Sequence, residues 1–120
     1  MIEKNNKKNN HFTEISKKLL HNIKKEDIIY CESYSHKIIL HTVNKDIYMY
    51  AKLNDIEGYL SSNIFLRIHK SYLINQNYIQ GLSKNVITLS NGIRLNISRS
   101  TSKEIYEKCL LAVLKKKYES

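Results

Sequence analysis

Residues Phe65-Leu-Arg-Ile-His-Lys-Ser-Tyr-Leu-Ile-Asn75 decide how this chain folds. Leu66 and Ile68 alternate with Phe65, Arg67 and His69; Tyr72 and Ile74 alternate with Ser71, Leu73 and Asn75. A period of two belongs to β-strands, whose successive side chains point to opposite faces. The polar triplet His69-Lys70-Ser71 between the two runs predicts a tight turn that lifts a cationic tip off a packed sheet. On this stretch alone, an ordinary solvated hairpin tip and a ligand-contacting tip read alike.

Toward the N-terminus, Lys52–Ser62 has helical spacing, with Leu53, Ile56 and Leu60 at i, i+3 and i+7 and Tyr59 beside them. Before it lie three β segments, Asp27–Glu32, His36–Thr42 and Ile47–Tyr50. Ser33-Tyr34-Ser35 reads as a loop between the first two. Val43-Asn44-Lys45-Asp46 reads as a turn in which Asn44 suits left-handed backbone. Residues 11–22 fit a helix through Phe12, Ile15, Leu19 and Leu20, but the β-rich continuation favours an irregular strand. Residues 1–11 are rich in Lys and Asn and are expected to form a flexible basic tail ahead of a domain spanning 12–117.

Toward the C-terminus, Tyr78–Leu82 and Asn85–Ser90 continue the strands. Asn91-Gly92 predicts a type I′ hairpin turn, after which Ile93, Leu95 and Ile97 alternate with Arg94, Asn96 and Ser98. Thr101-Ser102-Lys103-Glu104 matches a capping box and opens a helix with Ile105, Tyr106, Cys109, Leu110, Val113 and Leu114 in helical period. Its stripe Ile105, Cys109, Leu110, Val113 and Leu114 fits packing on the sheet, with a dimer contact as the alternative. Together these elements give a mostly β fold of packed sheets with one short central helix and a C-terminal helix.

The 120 residues fit one domain, and 42% hydrophobic residues suffice for a core. With no proline and three glycines, the turns must be built mainly from Asn, Asp, Ser and Lys. Cys31 and Cys109 are too far apart and too unlike in setting to suggest a disulfide framework or metal knuckle. No apolar run reaches transmembrane length and the first residues lack a signal-peptide pattern. The default expectation is a soluble cytoplasmic protein with no membrane association.

The net charge of +9 suits polyanionic partners, and its distribution sharpens the point. From Gly58 to Lys103 there is no Asp or Glu, while Arg67, Lys70, Lys84, Arg94, Arg99, Lys103 and His69 all fall inside. All 11 acidic residues lie outside this window. A one-signed surface of this kind suits phosphate contacts, although a solvated basic face with no ligand has the same composition. His36, His41, His69 and Cys31 have no metal-motif spacing. No catalytic motif is present, and Asp55 and Glu57 fall on the outer face of the central helix. Neither an enzyme nor a cofactor is expected. The nine tyrosines scatter through strands and helices and do not read as a base-stacking platform.

The stretch 65–75 resembles the hallmark of the LytTR DNA-binding domain family, Phe-x-Arg-apolar-His-basic-Ser-(aromatic or aliphatic)-apolar-Val/Ile-Asn. Glu26-Asp27-Ile28-Ile29-Tyr30 with Glu32-Ser33 resembles the family's first strand and following loop. Leu89-Ser90-Asn91-Gly92 and Leu95-Asn96-Ile97-Ser98-Arg99 resemble its hairpin and closing Ser-Arg element. The similarity runs over about residues 12 to 115. It implies an elongated β fold and a bacterial transcription regulator that reads double-stranded DNA through loops in successive major grooves, often at paired direct repeats. A homodimer on DNA is open.

By motif, the resemblance assigns base contact to His36, Lys70 and Arg99, with Ser35, Lys37, Ser71 and Ser98 as flanking phosphate contacts. Arg67 and His69 fit DNA contact or a supporting role. Many relatives carry an N-terminal receiver domain, and the roughly 25 residues before the first firm strand are too few for one. That departure keeps a second reading open: a protein-interaction or inhibitory module with the same fold and no DNA target.

Overall fold

A computed structural model describes residues 13–60 and 63–119. The elements run α1 (Glu14–His21), β1 (Ile28–Tyr34), β2 (Lys37–Thr42), β3 (Asp46–Tyr50), α2 (Leu53–Leu60), β4 (Phe65–His69), β5 (Tyr72–Asn75), β6 (Ile79–Ser83), β7 (Val86–Leu89), β8 (Arg94–Asn96) and α3 (Lys103–Glu119). Short 3-10 turns at Lys25–Asp27 and Gln76–Tyr78 lead into β1 and β6. The strands form two antiparallel sheets, ordered β3-β2-β1-β5-β4 and β6-β7-β8. This is the mostly β, elongated arrangement expected, with extents of 56 × 30 × 21 Å and one helix more than the sequence reading allowed.

The five-stranded sheet separates two cores. On one face Ile28, Cys31, Ile38, Leu40, Met49 and Leu73 meet Leu20 of α1 and Leu53, Ile56 and Leu60 of α2. On the other, Ile29, Tyr30, Leu66, Ile68 and Ile74 meet Ile79, Ile87, Leu89 and Leu95 of the smaller sheet, Ile97 just after β8, and Cys109 of α3. The alternation in 65–75 therefore sorts side chains between two interiors: Leu73 enters the first and Ile74 the second. Asn75 is the one wholly buried amide among the described residues. It donates to the Ile28 carbonyl at 2.9 Å and accepts from the Asn77 N–H at 2.9 Å, tying β5 to β1.

Several local expectations need correction. The segment read as an irregular strand is α1: Thr13 caps it by accepting from the Ser16 N–H at 3.1 Å, and only Ser16 and Leu20 face inward. A buried serine in place of an apolar residue, with Ile15 on the outside, hides the helical stripe. Strand β1 continues through Tyr34, so the turn is Ser35-His36. Asn44 is not left-handed; Thr42 organises that turn instead, donating to the Lys45 carbonyl and accepting from the Asn44 and Lys45 N–H groups.

At Asn91-Gly92 only Gly92 has positive φ, and Leu89 and Ile93 close a three-residue loop, so the type I′ assignment fails there. The cap of α3 is Ser102, whose hydroxyl accepts from the Ile105 N–H at 3.2 Å. Thr101 bonds elsewhere. The expected basic tail at 1–11, and the proposed helix end at 61–62, lie outside the described residues.

Among the described residues no helix is long and apolar enough to cross a membrane, and no group of three His, Cys, Asp or Glu side chains is placed to hold a metal ion. Cys31 and Cys109 sit in different cores, both free and fully buried. Burial pushes the Cys109 thiol from its usual 9.0 up to about 11 and raises that of Cys31 as well. Both thiols should therefore resist a disulfide reagent at mildly alkaline pH in the folded protein and react on unfolding. The folded thiols hold their protons where the unfolded ones have lost them. Their stabilising contribution is thus complete below about pH 9 and declines above it, through at least about pH 11 for Cys109, which urea titrations across that range will register.

Candidate nucleic-acid interface

Three connections reach one end of the five-stranded sheet. Strand β1 ends at the Ser35-His36 turn, and the pair Glu32↔Tyr72 sets the start of β5 against that same end. The β4–β5 turn, Lys70-Ser71, therefore lies beside the β1–β2 turn. The Ser33 N–H donates to the Ser71 carbonyl at 2.9 Å and fastens one to the other. The loop from β8 into α3 arrives on the other side of β4. There the Ile68 carbonyl accepts from the Ser98 N–H at 2.8 Å and from the Thr101 hydroxyl at 2.9 Å.

His36, Lys70 and Arg99 are all exposed at these tips. Two depressions run between the connections that carry them. One, of about 500 Å³, runs between Ser33 and His36 on one side and Arg67 and Lys70 on the other. The second, of about 510 Å³, runs from His69 and Lys70 to Ser98, Ser100 and Ser102. Both share Asn54, Arg67 and Lys70 as lining.

The first tip is a two-residue turn in which Ser35 (φ 48°) and His36 (φ 67°) are both left-handed. This is the pattern of a type I′ hairpin turn made without glycine or asparagine. Each non-glycine residue there costs on the order of 1–2 kcal/mol, and such strain concentrates at functional sites. Lys37 follows, paired with Tyr34 and Tyr50 across the sheet, its ammonium 5.8 Å from the Tyr50 ring centre.

The second tip is organised by Arg67. Its guanidinium donates to the His69 carbonyl (2.8 Å), the Lys70 carbonyl (2.7 Å), Asn54 Oδ1 (2.9 Å) and Glu57 Oε1 (2.8 Å). Four donors are thus engaged inside the protein, which leaves Arg67 a positioning residue for the turn. His69 belongs to the same scaffold: its Nδ1 accepts from the Ser71 N–H at 3.0 Å, which puts the ring proton on Nε2, and its ring tilts against Tyr72. Lys70 is left projecting from a turn held on three sides.

In the third connection the Ser98 hydroxyl bonds the Ser100 hydroxyl (2.9 Å) and accepts from the Ser100 N–H (3.2 Å), so it shapes the loop that presents Arg99.

Some participants escaped the sequence reading. Asn54 and Glu57 of α2 anchor Arg67, although Glu57 reads in sequence as a carboxylate on the outer face of the helix, just ahead of the basic window. Ser100, Thr101 and Ser102 join the site through the Ile68 carbonyl and the cap of α3. Lys84, left-handed at φ 54° in the β6–β7 turn, lies beside the end of β8, where the neighbouring Asn85 carbonyl accepts from the Ile97 N–H at 2.7 Å. Nothing in their spacing signals these contacts, which bridge segments remote in sequence. His41 is elsewhere: in β2 it bridges Glu32 (2.6 Å) and Asp46 (2.8 Å) and stacks on Tyr30.

The sequence model of the LytTr DNA-binding domain matches residues 6–109. Transcriptional regulatory protein LytR of Staphylococcus aureus (strain N315) is 30% identical over 90 residues, 71% of this chain and 37% of LytR. Sensory transduction protein LytT of Enterococcus faecalis is 33% identical over 86 residues, 67% of this chain and 36% of LytT. Transcriptional regulatory protein NatR of Bacillus subtilis is 38% identical over 64 residues, 53% of this chain and 28% of NatR. The chain thus spans roughly a third of the length of these curated relatives. Among solved structures, a LytTr DNA-binding domain from Bacillus cereus superposes with a TM-score of 0.65 at 22% identity, covering 73% of this chain and 84% of that one, a likeness of fold.

Proposed function

Since the chain belongs to the LytTr DNA-binding domain family, we propose that it binds double-stranded DNA sequence-specifically and serves bacterial transcription regulation by seating three loops in successive major grooves. The observation that carries this reading is the convergence of exposed His36, Lys70 and Arg99 on three tips knitted together by the Ser33–Ser71, Ser98–Ile68 and Thr101–Ile68 hydrogen bonds. Lysine and arginine donate to guanine O6 and N7, and histidine can meet a base edge as donor or acceptor. In this reading Ser35, Lys37 and Ser71 meet flanking phosphates. Arg67 and His69 serve by holding the tip that carries Lys70, and Ser98 by shaping the loop that carries Arg99.

The three tips lie at one end of the sheet, so one copy would engage one face of the duplex, and paired direct repeats would seat two copies side by side. Selection of bound sequences from a random duplex pool, followed by fluorescence-anisotropy titration, tests this. The expected result is a short enriched motif, bound far more tightly than random duplex, with log affinity falling linearly against log salt. Failure to bind any duplex tightly at low salt would favour the interaction or inhibitory module instead.

A further inference from the structure

The inner face of α3 is fully used: Cys109 is buried, and Ile105, Tyr106, Ala112 and Val113 pack against the second core. Its outer face is not. Glu104, Glu107, Leu111, Lys115 and Tyr118 succeed one another at intervals of three or four residues and are all exposed, forming one ridge along the helix. Leu111 is 58% exposed and Tyr118 81%, with Leu110 (43%) and Leu114 (39%) alongside. Four exposed large apolar side chains on one helix make a patch of the kind that marks an interaction surface.

The order of charge along this ridge selects the occupant. It is acidic at its N-terminal end, apolar in the middle, and basic then aromatic at its C-terminal end. A ridge of that pattern complements itself when reversed. We propose that this face of α3 is the contact between two copies of the chain, packed antiparallel about a two-fold axis at Leu111. In that register Leu111 meets Leu111 of the second copy. Glu107 faces the second copy's Lys115 and the reverse, and Tyr118 reaches the second copy's Glu104. Leu114 lies along the stem of its Lys108, whose ammonium already pairs with Glu104 at 3.7 Å within the helix. A parallel pairing would set Lys115 against Lys115 and Glu107 against Glu107. The antiparallel one also opposes the two helix dipoles favourably, and an isologous contact of this kind closes on itself.

One helix face per copy is smaller than a standard interface, so the dimer is weak and concentration-dependent. It involves no DNA-contacting residue. The paired molecules carry their DNA-binding ends in two-fold relation, which suits inverted half-sites or the bridging of two duplex segments, an arrangement distinct from side-by-side repeats.

Sedimentation equilibrium of the DNA-free chain over a wide concentration range tests it, separately from any DNA measurement. The apparent mass should rise from 14.2 kDa toward twice that value. Leu111→Glu should hold the protein at monomer mass throughout, and Glu107→Lys alone should weaken pairing. Adding Lys115→Glu to Glu107→Lys should restore it, a rescue that loss of fold could not produce. A wild-type chain that stays at monomer mass at every concentration overturns the proposal. So does a dimer indifferent to Leu111→Glu, which would place the contact elsewhere, as on the open edge of β3.

Discussion

Arg67→Ala should weaken DNA binding by about 1–3 kcal/mol, roughly what loss of one base contact costs, although Arg67 is not expected to touch a base. Its guanidinium holds the His69 and Lys70 carbonyls to Asn54 and Glu57 of α2. Without it the turn bearing Lys70 loses its tether to α2 and two charge-assisted bonds to its own backbone. The fold should be destabilised by about 2 kcal/mol; the partly exposed Glu57 pair contributes little of that, because solvent screens it.

Arg67→Lys should recover little, since an ammonium cannot supply the planar fork that spans two carbonyls and a carboxylate. Urea denaturation and anisotropy titration on the selected duplex measure the two effects separately. Undiminished affinity in a destabilised Arg67→Ala protein would show that the turn needs no tether to read DNA.

Arg99→Ala should show the opposite profile. The Arg99 side chain is exposed and forms no hydrogen bond or ion pair among the described residues, while its backbone is fixed by the Ser98 and Thr101 bonds to the Ile68 carbonyl. Stability should stay within about 0.5 kcal/mol of the parent, while affinity for the selected site falls by about 1–3 kcal/mol and base preference relaxes at one position. Equal losses on the selected and random duplexes would make Arg99 a phosphate contact. In that case the salt dependence should lose about one unit of slope.

The contrast between these two arginines shows what a sequence conveys here. Strand periodicity reports which residues share a face, so Leu66, Ile68, Tyr72 and Ile74 were legible as one inward set, as were Leu53, Ile56 and Leu60 of α2; Leu73 falls on the opposite face in that pattern and enters the other interior. The base-reading candidates His36, Lys70 and Arg99 were nameable only through resemblance to a family; composition gave no more than a basic window. Arg67 stayed ambiguous because its partners Asn54 and Glu57 lie 13 and 10 residues away, beyond the reach of local pattern. Helix α1 was misread because serine occupies one of its two buried positions. The type I′ turn was expected at Asn91-Gly92, where only Gly92 is left-handed, and the pair of left-handed residues is found at Ser35-His36, where tertiary context outweighs the intrinsic preference of the residues.

The shared central strands have a bearing on how the domain comes apart. Strand β1 supplies Ile28 and Cys31 to one interior and Ile29 and Tyr30 to the other, and β5 divides Leu73 and Ile74 in the same way. Neither interior can be opened without exposing residues of the strands that wall the second. The two layers are therefore one cooperative folding unit. The hinge between helical and β layers that a two-core protein might offer to partial melting, or to a protease, is closed by the alternation of single residues along β1 and β5.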